Sequence, residues 1–354
     1  LLEPARFRDT LTYFDIGRDS ALIQPAHRGP LMHVVVRLLY GLMVSHRKQR
    51  TSGAGQSARR AAILSALSEA TDDDRALLVD LMLEPLSFTA LSAVQLRRYA
   101  GFLALLREML RQMGFRLGAQ LPRVVDATVA IAAHADTDGV PRAARRIVRQ
   151  EALRRLAEFV RYVPSWAPFR ERVLALVRPR LATLAVDSVQ GVSALIELIR
   201  SWAAAPDTQL VFYTDRGVVQ GLVACFQNES IKPPVALALL DTVLRIAECA
   251  ADERVRTHVL APNTQPLLDA LFVLVQRTIA STFSYELGAA RDEMLRREVD
   301  VLCVLAPHMD ERAAGTTLAL LVPLVPHARV PERVKTELLR TFAALLPRTP
   351  LGTQ

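Results

Sequence analysis

Aromatic side chains make up only 6% of these 354 residues, and lysine is nearly missing. With Leu and Ala abundant and aromatic runs rare, the composition argues for helix and against sheet. Lys48, Lys232 and Lys335 are the only lysines among 44 basic residues, and the remainder are arginine. None of the three follows a glycine, which excludes a phosphate-binding loop of the Walker type. The three cysteines, Cys225, Cys249 and Cys303, are far apart and form no CxxC. Neither a disulfide framework nor a zinc site is expected, and reduced thiols in apolar helical surroundings are. The most apolar stretch, residues 31–44, is too short to span a bilayer and contains His33 and Arg37, so no membrane association is expected. Leu1-Leu2, with no initiator Met, reads as the start of an excerpt from a longer protein.

Signals of chemistry are equally scarce. The seven histidines show no HExxH spacing, and no GxSxG occurs. "GAGQSA" (53–58) fits a relaxed dinucleotide-binding fingerprint, but "SHRKQRTS" precedes it where a strand is required. Asp72, Asp73 and Asp74 are adjacent, so on a helix their side chains diverge by about 100° each and cannot share one ion. No enzyme activity, cofactor, metal or small-molecule substrate is expected.

What is there is amphipathic helix. Apolar periodicity and Pro, Gly or Asn punctuation predict fourteen helices, near 30–46, 57–70, 72–84, 92–113, 119–134, 142–163, 167–178, 189–204, 216–228, 234–250, 265–283, 289–306, 311–325 and 331–346. Thr71 before the three aspartates reads as an N-cap with acids in the first turn. Pro30, Pro141, Pro234, Pro266 and Pro331 are expected in first turns, where a missing N–H is harmless. Fourteen helices on short connections make about seven pairs of roughly 40 to 50 residues, the period of HEAT and armadillo arrays. The expected fold is therefore all-α, a single α-solenoid segment over 1–354. Its loops are a basic flexible one at 46–57 and a second at 204–216, with a β-like run at Val211–Tyr213.

The formal charge is +8, which favours polyanionic partners. Position locates that charge better than abundance does. Arg47, Lys48, Arg50, Arg59 and Arg60 surround a Thr-Ser-Gly-Ala-Gly centre, with no carboxylate from 46 to 68. Arg59 and Arg60 are expected to open the following helix, where positive charge opposes the dipole and a nearby anion would offset the cost. Arg142, Arg145, Arg146 and Arg149 fall at i, i+3, i+4 and i+7, one face of a helix. Farther along, that face carries Leu153, Leu156 and Val160. Either the helix overhangs the core at its start, or arginine stems cover apolar surface while their heads reach water. These nine residues are the candidate RNA- or partner-binding set, and acidic protein remains the other class of partner for the loop.

Several stretches together resemble a known family. "HRGPLMHVVVRLLYGLMVSHRKQR" (27–50), "SARRAAILSALSEATDDDRALLVDLMLEPL" (57–86) and "YAGFLALLREMLRQMGFRLGAQLPRVVDATV" (99–129) carry most of the likeness. "ALRRLAEFVRYVP" (152–164), "LVRPRLATLAVDSVQGVSALIELIRSW" (176–202) and "ESIKPPVALALLDTV" (229–243) extend it. In order, they resemble the down-regulated-in-metastasis family of large HEAT-repeat components of the small-subunit processome. The resemblance implies a nucleolar scaffold without catalytic residues. Its partners would be pre-ribosomal RNA, the small nucleolar RNP and small-subunit processome proteins. By position it brings over the basic loop with Ala58, Arg59 and Arg60, and an "RPRL" turn at Arg178–Leu181. A HEAT-type nuclear transport receptor is the alternative, although such receptors are usually acidic where this chain is basic.

Overall fold

The computed structural model describes residues 18–19, 22–44, 53–89, 91–112, 117–135, 140–181, 184, 189–213, 215–228, 230–248, 253, 257, 261–280, 290–327 and 330–349. Among them there is helix and no strand, and no helix is long and apolar enough to cross a membrane. The chain, expected as one array over 1–354, divides into two compact units, Leu1–Val163 and Pro164–Gln354.

The first unit holds α1 (Pro25–Val44), α2 (Gly53–Ser68), α3 (Asp72–Leu83), α4 (Ala93–Gln112), α5 (Leu121–His134) and α6 (Arg142–Phe159). One row runs α2, α4, α6, each packed on the next. In the other row α1 packs on α3, and α3 on the short 3-10 turn Gly118–Gln120 that leads into α5. Contacts of α1 with α2 and of α5 with α6 join the rows.

The second unit holds α7 (Arg170–Leu181), α8 (Val189–Ala204), α9 (Pro206–Tyr213), α10 (Arg216–Gln227), α11 (Pro233–Glu248), α12 (Ala261–Ala280), α13 (Ala290–Leu305), α14 (Glu311–Leu321) and α15 (Glu332–Leu345). Here α7, α10, α12 and α14 stack in succession, and α8, α11, α13 and α15 form a second row. Packing each helix on the one two places along is the signature of a helical-repeat array, in which every pair buries its apolar face against its neighbours. The pairs begin at Pro25, Asp72, Leu121, Arg170, Arg216, Ala261 and Glu311, a repeat of 45 to 50 residues. Helix α9 is the extra element.

Several local expectations need correction. Residues 206–213 are helical, not a loop with a β-like run, and Asp207 accepts the Trp166 N–H at 3.4 Å. Helix α2 begins at Gly53, so the expected loop at 46–57 loses its second half to helix, and residues 46–52 lie outside the described ones. Pro30 and Pro266 stand in second turns, because α1 starts five and α12 four residues earlier than expected; each removes one backbone hydrogen bond. "RPRL" is not a turn but the last turn of α7, with Pro179 inside it.

Other features agree closely with the expectation. Thr71 caps α3 reciprocally with Asp74: Thr71 Oγ1 accepts the Asp74 N–H at 3.4 Å, and Asp74 Oδ2 accepts the Thr71 N–H at 3.2 Å. Of the three aspartates only Asp74 is buried, with Arg28 at 3.3 Å. Three buried threonines are satisfied within their own helices. Thr128, Thr242 and Thr317 each donate to the carbonyl four residues back, at 2.7 to 2.8 Å. Cys225 is buried, and its thiol donates to the Leu181 carbonyl at 3.3 Å, whereas Cys303, expected to be buried as well, is only half-buried.

Candidate nucleic-acid interface

Three of the nine candidate residues, Arg47, Lys48 and Arg50, lie outside the described residues. The structure places the other six on two helices of the first unit, α2 and α6. Both pack on α4, which lies between them in one row.

Arg59 and Arg60 are half-buried at the seventh and eighth positions of α2, not in its first turn. The expected conflict with the helix dipole therefore does not arise. Arg59 donates to the carbonyl of Leu42 in the last turn of α1, where a cation is favoured by the opposite pole of a helix. Arg60 makes an ion pair with Glu108 of α4 at 3.4 Å. Both side chains fasten helices together, and neither needs an external anion.

The α6 cluster is different. Pro141 stands at the N-cap without a side-chain hydrogen bond, and no acidic residue occupies the first turn. Arg142 is exposed there, while Arg145, Arg146 and Arg149 are half-buried, as stems lying over apolar surface would be. Leu153, Leu156 and Val160 farther along are buried, as expected of that face. From Glu151 onward, basic charge is consumed internally. Buried Arg155 bonds Glu151 at 3.2 Å and also Glu158, and Arg154 bonds Glu151 at 2.5 Å. Burial alone would push the Glu151 carboxyl up, but the hydrogen bonds from Arg155 and Arg154 hold it below the usual carboxylate range. The four candidate arginines of α6 thus stand in its first two turns, ahead of the stretch where Arg154 and Arg155 pair with Glu151 and Glu158.

Helix α4 supplies residues that sequence reasoning passed over. Arg97, Arg98, Arg107 and Arg111 are all exposed, against one glutamate in the helix. The signal was present in "LRRYAGFLALLREMLRQ", whose arginines alternate with core positions and so look like an ordinary solvated face.

In the second unit, Arg178 of the former "RPRL" turn is committed to structure. It pairs with Asp215, the N-cap of α10, which accepts the Val218 N–H at 3.2 Å. The Arg178 hydrogen bond holds the Asp215 carboxyl below its ordinary value, although burial opposes this.

With this geometry in hand, comparison with known proteins is informative. The family model for U3 small nucleolar RNA-associated protein 20, N-terminal, matches residues 1–354. U3 small nucleolar RNA-associated protein 20 of Schizosaccharomyces pombe (strain 972) is 27% identical over 384 residues. That alignment covers 98% of this chain, which spans 15% of the relative's length. Among solved structures, a crystal structure of an engineered protein has a TM-score of 0.45 at 15% identity, covering 98% of this chain and 99% of its own. Importin beta has a TM-score of 0.38 at 11% identity, covering 90% of this chain and 42% of its own. Likenesses of that size say nothing about function, whereas the family match is complete and agrees with the resemblance read from the sequence. The chain belongs to the U3 small nucleolar RNA-associated protein 20 family, as part of its N-terminal region.

Proposed function

We propose that this chain is a non-enzymatic scaffold segment of the small-subunit processome, supporting pre-ribosomal RNA processing and small-subunit assembly in the nucleolus. The observation that carries the reading is the family match over residues 1–354. The relative is named for its association with U3 small nucleolar RNA. A helical-repeat fold with a net charge of +8 suits that role, since stacked repeats present long surfaces and cationic ones attract RNA. The partners proposed are pre-ribosomal RNA, the small nucleolar RNP and other processome proteins.

Purifying the tagged full-length protein from nuclear extract and sequencing the RNA that comes with it tests the assignment. U3 small nucleolar RNA and precursor ribosomal RNA are the expected recovery, and a transport GTPase with cargo would overturn it. At the site itself, the proposed RNA contacts are Arg47, Lys48 and Arg50, together with Arg142, Arg145, Arg146 and Arg149. Each phosphate contact contributes about −0.7 to the logarithmic salt slope of single-stranded RNA binding. Neutralising Arg47, Lys48 and Arg50 together should therefore flatten the slope by about two units. Changing Arg59 and Arg60 to Gln should leave the slope alone and lower the melting temperature, because those two hold Leu42 and Glu108.

A further inference from the structure

A groove of about 530 Å³ opens on the first unit, between the C-terminal ends of α1 and α3 and one face of α4. Its floor is apolar, made by the buried side chains of Met82, Phe102 and Leu105. Two features make this floor reachable. Gly101 carries no side chain where one would cover it, and a Cβ built there meets no atom within 4 Å. Ala104, one helical turn on, is exposed and small as well. Val94, 48% exposed, continues the apolar surface to the groove's edge.

The charged residues lining the groove are Arg60, Arg97 and Arg98, and no carboxylate lines it. Arg60 is tied to Glu108 and Arg98 donates to the Pro85 carbonyl at 3.2 Å, so both heads are held in place. Arg97 is exposed, with no ion pair among the described residues. Glu84 stands outside the lining, near Tyr40 at one end.

An RNA strand would need a track of phosphate contacts with aromatic faces open to its bases, but here the one aromatic ring in the floor, Phe102, is buried, and two of the three lining cations, Arg60 and Arg98, are already engaged. An apolar recess ringed by positive charge is complementary to a helix that sets large apolar side chains into it and keeps carboxylates at its edges. We propose that the groove over Gly101 docks an acidic amphipathic helix of a protein partner, with an apolar side chain seated on Phe102 and Leu105 and a carboxylate on Arg97. The inference concerns a protein contact and does not rest on the RNA-binding role proposed above.

Two variants of the full chain probe the groove without touching its core. Gly101→Phe fills the recess from a helical position with open space around it, and Arg97→Glu reverses the unpaired charge. A displayed library of random peptides, selected against the parent chain, supplies the probe. Selected peptides should carry Leu, Phe or Trp at helical spacing beside Asp or Glu. Each variant should weaken their binding about tenfold or more at an unchanged or raised melting temperature. Selected peptides without that pattern, or peptides that bind both variants as tightly as the parent, would overturn the proposal. Displacement of the peptides by an oligouridine RNA would assign the groove to nucleic acid and overturn it equally.

Discussion

Glu298 is fully buried on α13 and accepts a hydrogen bond from the Thr278 hydroxyl at 2.6 Å; its second oxygen has no partner among the described residues. Burial raises its pKa to about 8, and the Thr278 bond offsets only part of this. Between pH 4.5 and 8 the unfolded chain has lost this proton while the folded protein keeps it. The folded state binds more protons there, so stability falls as pH rises through that window. Glu298→Gln should remove that slope and stabilise the protein by roughly 3 kcal/mol at pH 7, read by urea denaturation across pH. A second buried group makes a structural prediction. The Tyr99 hydroxyl spends its proton on the Ser87 carbonyl, so its 2.7 Å contact with His134 Nδ1 requires the imidazole to donate from that nitrogen. Burial lowers the His134 pKa, so at neutral pH the ring should be the Nδ1–H tautomer, which nitrogen NMR distinguishes from the commoner form.

At the scale of helices, one tight approach of two elements is marked by a glycine. A Cβ on Gly221 of α10 would stand 2.6 Å from the Leu181 Cβ at the end of α7. Gly221→Ala should therefore destabilise by about 1–3 kcal/mol, despite alanine's better helix propensity, because two neighbours in a row would be forced apart. Gly101→Ala, with open space around it, should instead stabilise by roughly 0.5–1 kcal/mol, and chemical denaturation of the two variants makes the comparison. The cap of α3 was readable beforehand because Thr71 and Asp74 are three residues apart in sequence. Thr71→Ala is expected to cost about 1 kcal/mol. Helix α9 was not readable: Pro206-Asp207 looked like loop punctuation, yet they are the helix's first two residues, and Asp207 is placed by the distant Trp166 N–H.

Each of the two compact units carries a core of its own. Tyr99 and Phe159 are fully buried in the first, as are Trp166, Trp202 and Phe226 in the second, where the two tryptophan rings lie 5.2 Å apart. In repeat arrays, stability comes from each repeat and its nearest neighbours rather than from one shared centre. The segment 164–354 expressed alone should accordingly give a helical circular dichroism spectrum and a cooperative thermal transition. A featureless, non-cooperative melt would show that its core needs the rest of the chain.

The sequence by itself determined that the protein is helical, that its helices pair with a repeat of roughly 40 to 50 residues, which the structure narrows to 45 to 50, and to which family it belongs. Periodicity, caps and prolines act within a few residues, and many weak matches in order identify a family without recourse to a catalytic motif. What only the tertiary structure decided is which charges are spent. Arg59 meets a carbonyl 17 residues away, Arg178 an acid 37 away and Arg60 an acid 48 away. Those partners lie on other helices, and a repeat array sets their distance by how rows stack. The same holds for the groove over Gly101 and for buried Glu298. Exposure belongs to the stack of helices, so the one-dimensional pattern that reveals each helix does not reveal what its outer face will meet.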